Sequence, residues 1–169
     1  MTMTATYTTG YARTHTAAYV ADKLRGLLSE LVRECGLDPQ ALHDAWSECI
    51  GEAARIWMES GHLLRVTIEF FKPGSDVAAA RWDFPIRYDG GGVDDLWVDK
   101  SFFRDSIAKG AAPPSGCIYR VVLNHGPGAP YAPGMVDTAM KDASGLQARD
   151  AGTVISTPDI YASARYYRR

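Results

Sequence analysis

The sequence lacks any apolar run near the roughly 18 residues a helix needs to cross a bilayer. Its opening MTMTATYTTG has neither the basic nor the apolar stretch of an export signal. A cytoplasmic protein without a membrane partner is the expectation. Cysteine is scarce: Cys35, Cys49 and Cys117 are an odd set with no C-x-x-C spacing, which argues against a disulfide framework and against structural zinc. Basic excess is missing too. With 18 Lys and Arg against 20 Asp and Glu, the net charge is -2, so a phosphate backbone is not expected as the main ligand. Catalytic signatures are also absent. His15, His43, His62 and His125 stand in no H-E-x-x-H spacing, and there is no G-x-S-x-G elbow. Gly126-Pro127-Gly128 lacks the lysine and Ser/Thr of a phosphate loop, and its prolines withdraw backbone donors. Cys117 and His125 bracket one expected strand and stand roughly 26 Å apart along it, too far for a thiol and its base. No metal, cofactor or catalytic residue is implied.

What is present suffices for one domain. In 169 residues, 46% hydrophobic and 11% aromatic, there is apolar surface enough for a single core. From Thr14 to Glu34, Ala17, Val20, Ala21, Leu24, Leu27, Leu28, Leu31 and Val32 follow a helical stripe opposite Asp22, Lys23, Arg25, Glu30 and Arg33. This helix ends at Gly36. Asp38-Pro39 then opens a second one, with Leu42, Trp46, Cys49, Ile50, Ala53 and Trp57 on one face, which stops at Gly61.

The period next changes to 2. Leu64, Val66, Ile68 and Phe70 alternate with Arg65, Thr67 and Glu69, predicting a strand with one buried and one wet face. Arg81 to Tyr88 repeats the pattern across the turn at Lys72–Asp76, so the pair reads as an antiparallel hairpin, with Pro85 forcing an unpaired point. Asp94 to Lys109 is expected to be helical, with Leu96, Trp97, Phe102, Phe103 and Ile107 buried. Cys117 to Leu123 is the third strand. Residues 125 to 152 are crowded with glycine and proline, and short strands return at 153–156 and 160–167. So long a loop-rich stretch points to a lid, a binding loop or disorder. Trp46, Trp57, Trp82 and Phe84 read as core.

Tyr7-Thr8, Ala12-Arg13, Ala17, Val20-Ala21-Asp22-Lys23-Leu24-Arg25 and then Trp57-Met58-Glu59-Ser60-Gly61-His62-Leu63-Leu64, running into Val66–Lys72, give an ordered helix, helix, glycine exit and alternating strand. This arrangement resembles the bacterial HORMA-domain proteins of CBASS anti-phage operons, most clearly over residues 6 to 90. The resemblance implies an α+β fold: an antiparallel sheet with helices on one face, forming a single domain over 1–169. Residues 1–124 would be the body and 125–169 a mobile C-terminal safety belt.

It further implies a non-catalytic signalling adaptor that binds a closure-motif peptide by strand addition. The peptide would lie beside the edge strand Cys117, Ile118, Tyr119, Arg120, Val121, Val122, Leu123. Gly126, Pro127, Gly128, Pro130, Pro133 and Gly134 would be the belt hinge. When closed, the protein would activate a CD-NTase (a cGAS/DncV-like nucleotidyltransferase), and a Pch2-type AAA+ ATPase would reopen it through the handle Thr2, Met3, Thr4. A second HORMA protein is a further partner the family uses. Eukaryotic members place a hairpin between the first two helices, for which Gly36–Pro39 leaves no room.

Two other readings compete. Asp89, Asp94 and Asp95 around the triple glycine could serve a small hydrolase, although their spacing lacks an EF-hand's alternating ligands. Alternatively, the long tail could mediate oligomerisation of a structural protein in a phage or toxin system.

Overall fold

The computed structural model describes residues 2–88, 97–98 and 101–169. Helix α1 spans Thr2–Glu34 and carries the expected stripe: Val20, Leu24, Leu28, Leu31 and Val32 are fully buried. It begins a dozen residues before the apolar period does. No proline interrupts this threonine-rich lead, and extending an existing helix costs far less than nucleating one. Gly36, at φ 77°, closes α1: its N–H bonds Arg33 O, and the Leu37 N–H bonds Val32 O. This is the paired-bond C-terminal motif that favours glycine.

The Asp38 carboxylate then accepts the Gln40 N–H at 2.9 Å, starting α2 (Gln40–Ala45). The helix runs on through a π-helical turn, Trp46–Ile50, into α3 (Gly51–Glu59). The wider turn brings the Trp46 indole against the Cα of Gly51, where a Cβ would lie 2.6 Å from the ring. Gly61, at φ 74°, ends α3 with the same two bonds seen after α1, Gly61 N–H to Met58 O and His62 N–H to Trp57 O.

Among the described residues six strands form one antiparallel sheet in the order β3-β5-β6-β2-β1-β4. They are β1 (Leu63–Phe71), β2 (Ala80–Arg87), β3 (Trp97–Val98), β4 (Ile118–His125), β5 (Gln147–Ser156) and β6 (Tyr161–Arg168). Val66, Ile68 and Phe70 of β1 and Trp82, Phe84 and Ile86 of β2 face the helices and build the core with α1 and α3. Trp82 and Phe84 pack edge-on against Phe103 of α4 (Ser101–Ser106) at ring separations of 5.5 and 6.1 Å.

The sequence reading needs correction at several points. Leu63, not Leu64, is the buried residue at the start of β1: Leu64 is 51% exposed, because the β1–β4 register slips between Leu63 and Arg65. Thr67 and Glu69 are not wet but wholly buried. Across the ladder Glu69 meets Arg120 and Arg81, while Thr67 meets Asp83, so charged side chains cover one another on the outer face. There Arg81 forms two hydrogen bonds to Asp83 at 2.9 and 2.8 Å, and Thr67 donates to the same carboxylate at 2.7 Å.

Pro85 faces Arg65 of β1, but no β6 pairing is recorded between Asp83 and Ile86, the gap expected of a residue without an N–H. Trp97 lies on β3 opposite Ser156 rather than on a helix. The helix starts at Ser101 and continues through a second π-helical turn, Ile107–Ala111. Asp89, Gly90, Gly91, Gly92, Asp94, Asp95 and Leu96 lie outside the described residues, as does the side chain of Phe102.

The C-terminal strands are longer than expected, because Gln147–Asp150 pair with Arg165–Arg168 before the register shifts between Asp150 and Gly152. The irregular stretch therefore narrows to residues 126–146. Thr157 closes the β5–β6 turn, its hydroxyl accepting the Ile160 N–H at 2.8 Å. No described helix is long and apolar enough to cross a membrane.

Candidate peptide-binding edge

The site begins where three elements meet. The end of α3 delivers Trp57, the connection into β1 delivers His62, and the end of β4 delivers His125. Gly126 ties them, its N–H bonding His62 O at 2.8 Å, and the His125 ring packs on Trp57 at 4.5 Å. From this knot the chain turns back along β4 instead of continuing the sheet. Trp57 Nε1–H holds it at Pro130 O, 2.8 Å away, and Ala132 is buried. Gly134, at φ 80°, passes so close to the helix that a Cβ would lie 2.9 Å from Cys49 Cβ, so only glycine fits both the angle and the gap.

At its far end the loop crosses to the outer face of the sheet. Glu69, with no exposed side-chain surface, accepts from Arg120 Nε at 2.7 Å and from the Lys141 backbone N–H at 2.7 Å. Arg120 also donates to Ala139 O. The Lys141 ammonium donates to Ser75 O at 2.7 Å, and Asp142 bridges Val77 in a parallel pairing, exchanging bonds with Asp76 O and Ala78 N. After Leu146 the chain enters β5, whose hairpin with β6 is docked on β2, at the opposite side of the sheet from β4.

Among the described residues β4 pairs only with β1, so its other edge presents unpaired N–H and C=O groups. That edge faces a half-open cleft. Between it and the loop lies a cavity of about 530 Å³, walled by Cys49, Ile50 and Trp57 from the helices, by Arg120–His125 from β4, and by Pro130–Ala132 and Gly134–Thr138 from the loop. β4 register sets the faces: Tyr119, Val121 and Leu123 pair with Phe70, Ile68 and Val66 on the helix side, whereas Ile118, Arg120 and Val122 lie on the outer side.

Of the edge-strand residues singled out in the sequence, Arg120, Val121, Val122 and Leu123 line the cavity. Cys117 is buried just before β4. Ile118 is exposed and does not line the cavity, and Tyr119 is occupied elsewhere, its hydroxyl donating to Asp38 O at 2.7 Å and accepting from Leu42 N at 3.1 Å. Burial and the nearby carboxylates of Asp38 and Asp44 raise its pKa, against the Leu42 N–H that lowers it. Pro130 and Gly134 of the expected hinge line the cavity as well, whereas Gly126, Pro127, Gly128 and Pro133 do not. Thr2, Met3 and Thr4 fall within the first turns of α1, away from this edge in sequence.

Sequence reasoning missed the helix wall. Trp57, assigned to the core on its stripe, is buried and also faces the cavity. Nothing in helical periodicity distinguishes a core tryptophan from one at the rim, whereas the donor to Pro130 O does. Among the described residues no three His, Cys, Asp or Glu side chains cluster as ligands.

A twisted antiparallel sheet with helices on one face, an unpaired strand edge under a long loop and a C-terminal hairpin on the far side define a HORMA-type domain. The chain belongs to the bacterial HORMA domain 2 family, whose model matches residues 1–169. Among solved structures it is similar to a chain of the mitotic checkpoint complex, with a TM-score of 0.68 at 12% identity, covering 91% of this chain and 98% of that one. It is also similar to C. elegans HTP-1 bound to HTP-3 motif-1, at TM-score 0.64 and 13% identity over 90% of this chain and 89% of that one. A third is the E. coli MS115-1 CdnC:HORMA-deltaN complex, at TM-score 0.56 and 15% identity over 90% and 87%. No curated protein sequence matches the chain.

Proposed function

We propose that this chain is a non-catalytic signalling adaptor of a CBASS anti-phage system. It takes up a closure-motif peptide as an added strand on β4, beneath residues 126–146 of the safety belt 125–169. The observation that carries this reading is the unpaired β4 edge facing a walled cavity while the C-terminal hairpin occupies the opposite side of the sheet. Strand addition uses such an edge directly, with backbone hydrogen bonds for affinity and alternate side-chain pockets for selectivity. A belt pinned at both ends makes release slow, since a covered peptide leaves only when the belt opens.

In this belted form the adaptor binds and activates a CD-NTase, which makes a cyclic oligonucleotide. The HORMA protein solved with CdnC supports that partner, and the HTP-1 structures with bound motifs support the peptide. A Pch2-type AAA+ ATPase reopens the domain by pulling on the N-terminal residues Thr2–Thr4, and the β4 edge and belt stay within one domain throughout. The near-neutral charge of -2 suits a protein that grips peptides and leaves nucleotides to its partner.

The test is reconstitution with a CD-NTase from the same genome. Nucleotide product should require this chain, and should fall when Leu123→Arg puts a charge into the slot. Synthesis at full rate without the chain would overturn the reading, as would full activation by a folded Leu123→Arg variant.

A further inference from the structure

The walls of the slot differ in chemistry along its length, and that difference selects among peptides. Along its helix side the slot offers Trp57 and Leu123 towards the His125 end, with Cys49 and Ile50 farther along, since the helix from Leu42 at Tyr119 to Trp57 at His125 runs beside β4. The loop adds Tyr131 and, directly before Asp137, Val136, large apolar side chains left 83% and 82% exposed. Exposed apolar groups at that level, gathered on the rim of a cavity, mark a surface meant to be covered. A strand laid on β4 keeps the pleat of the sheet, so its side chains alternate between the helix side and the outer side.

Charge is concentrated at the other end. Arg120 lines the cavity there, but its guanidinium is neutralised by the buried Glu69 carboxylate at 2.7 Å. Asp137, two residues before the Ala139 carbonyl that Arg120 holds, is exposed and has no ion pair among the described residues. One positive and two negative groups leave this end of the slot with a net charge of about -1. The stretch Arg120–His125 offers six residues of edge, about 20 Å of extended chain.

Resting on the strand-addition reading above, we propose that the slot selects a peptide segment of about six residues with apolar side chains at alternate positions and a lysine or arginine at the end beside Asp137. The apolar set fills the helix side, and the cation supplies the charge that Asp137 lacks. The partner is therefore an alternating, basic-ended strand, not an acidic one.

Twelve-residue random peptides displayed on phage and selected on the full chain, in parallel with Asp137→Lys, test this directly. Asp137 is exposed, so the variant should melt with the wild type and any change reports on binding. On the wild type, enriched peptides should share the alternation and carry Lys or Arg at one fixed end. On Asp137→Lys that end should turn acidic. With the best synthetic peptide, exchanging its terminal Lys for Glu should weaken binding to the wild type about fivefold, the scale of a solvent-facing ion pair. Enrichment without a charge preference, or the same preference on both proteins, overturns this inference and leaves peptide binding standing. Failure to enrich any peptide overturns both.

Discussion

Glu69 is where the sheet holds the loop, so removing its charge should loosen the loop selectively. The carboxylate is fully buried on the middle of β1, accepts Arg120 Nε at 2.7 Å and takes the Lys141 N–H at 2.7 Å. Glu69→Gln keeps the shape and an acceptor for Lys141 but loses the ionic bond, and hydrogen bonds to charged groups contribute about 1.5–3 kcal/mol each. Half-buried Arg120 then loses its counter-charge and its hold on Ala139 O. A loss of about 2 kcal/mol from the closed loop corresponds to roughly a 30-fold rise in its opening equilibrium.

Hydrogen exchange read by mass spectrometry resolves where that cost falls. Amides of residues 137–142 should exchange about 30-fold faster in Glu69→Gln, while β2 and β6 amides change far less. Asp83→Asn is the matched control. Asp83 sits on the same face, is equally buried and binds Arg81 and Thr67, but it touches no loop residue among the described contacts. It should lower protection across β1, β2 and β6 with no excess at 137–142. Equal loss over the whole sheet in both variants, or unchanged loop exchange in Glu69→Gln, would refute the latch.

Other expectations follow from single contacts. Gly51→Ala drives a Cβ to 2.6 Å from the Trp46 indole and should cost about 1–3 kcal/mol, read as a lower urea midpoint with unchanged slope. An unshifted midpoint would mean that the π-helical turn relaxes freely. Tyr119→Phe leaves Leu42 N–H and Asp38 O without their shared hydroxyl and should cost about 1–2 kcal/mol in the same assay. Because the folded pKa of Tyr119 is raised above 10.0, its contribution is complete below pH 10 and is lost as pH climbs through the folded value, so the wild-type advantage over Tyr119→Phe should shrink only in strong alkali. Burial, with Glu34 beside it, pushes the Cys35 thiol up to about 12. The thiol therefore stays protonated at pH 8, so iodoacetamide should label Cys35 more slowly in native protein than in urea, and equal rates would contradict its half-buried placement beside Glu34.

Much of the fold was legible because local chemistry settles it. The α1 stripe, the glycines closing α1 and α3, the β1–β2 hairpin and the gap beside Pro85 each depend on residues a few positions apart. Failures came where a distant neighbour decides. Leu63 and Leu64 are equally apolar, and only the β4 register slip chooses between them. Glu69 and Thr67 read as solvent-facing because alternation shows polarity, whereas their burial depends on Arg120, Arg81 and Asp83 lying across the ladder. Trp97 followed a helical pattern but pairs with Ser156, a partner 59 positions away.

The sequence by itself determined the family, the two helices, the strand ahead of the irregular stretch and the glycine–proline texture of residues 126–134, since periodicity and turn chemistry are local. Tertiary structure alone decided that β4 lies at the edge of the sheet, that Tyr119, Val121 and Leu123 face the helices, and that the loop returns along β4 to be fastened at Trp57 and Glu69. A slot is a space between segments brought together by long-range pairing, and its walls here come from residues 49 to 138. No single stretch of chain carries the energy that holds them in place.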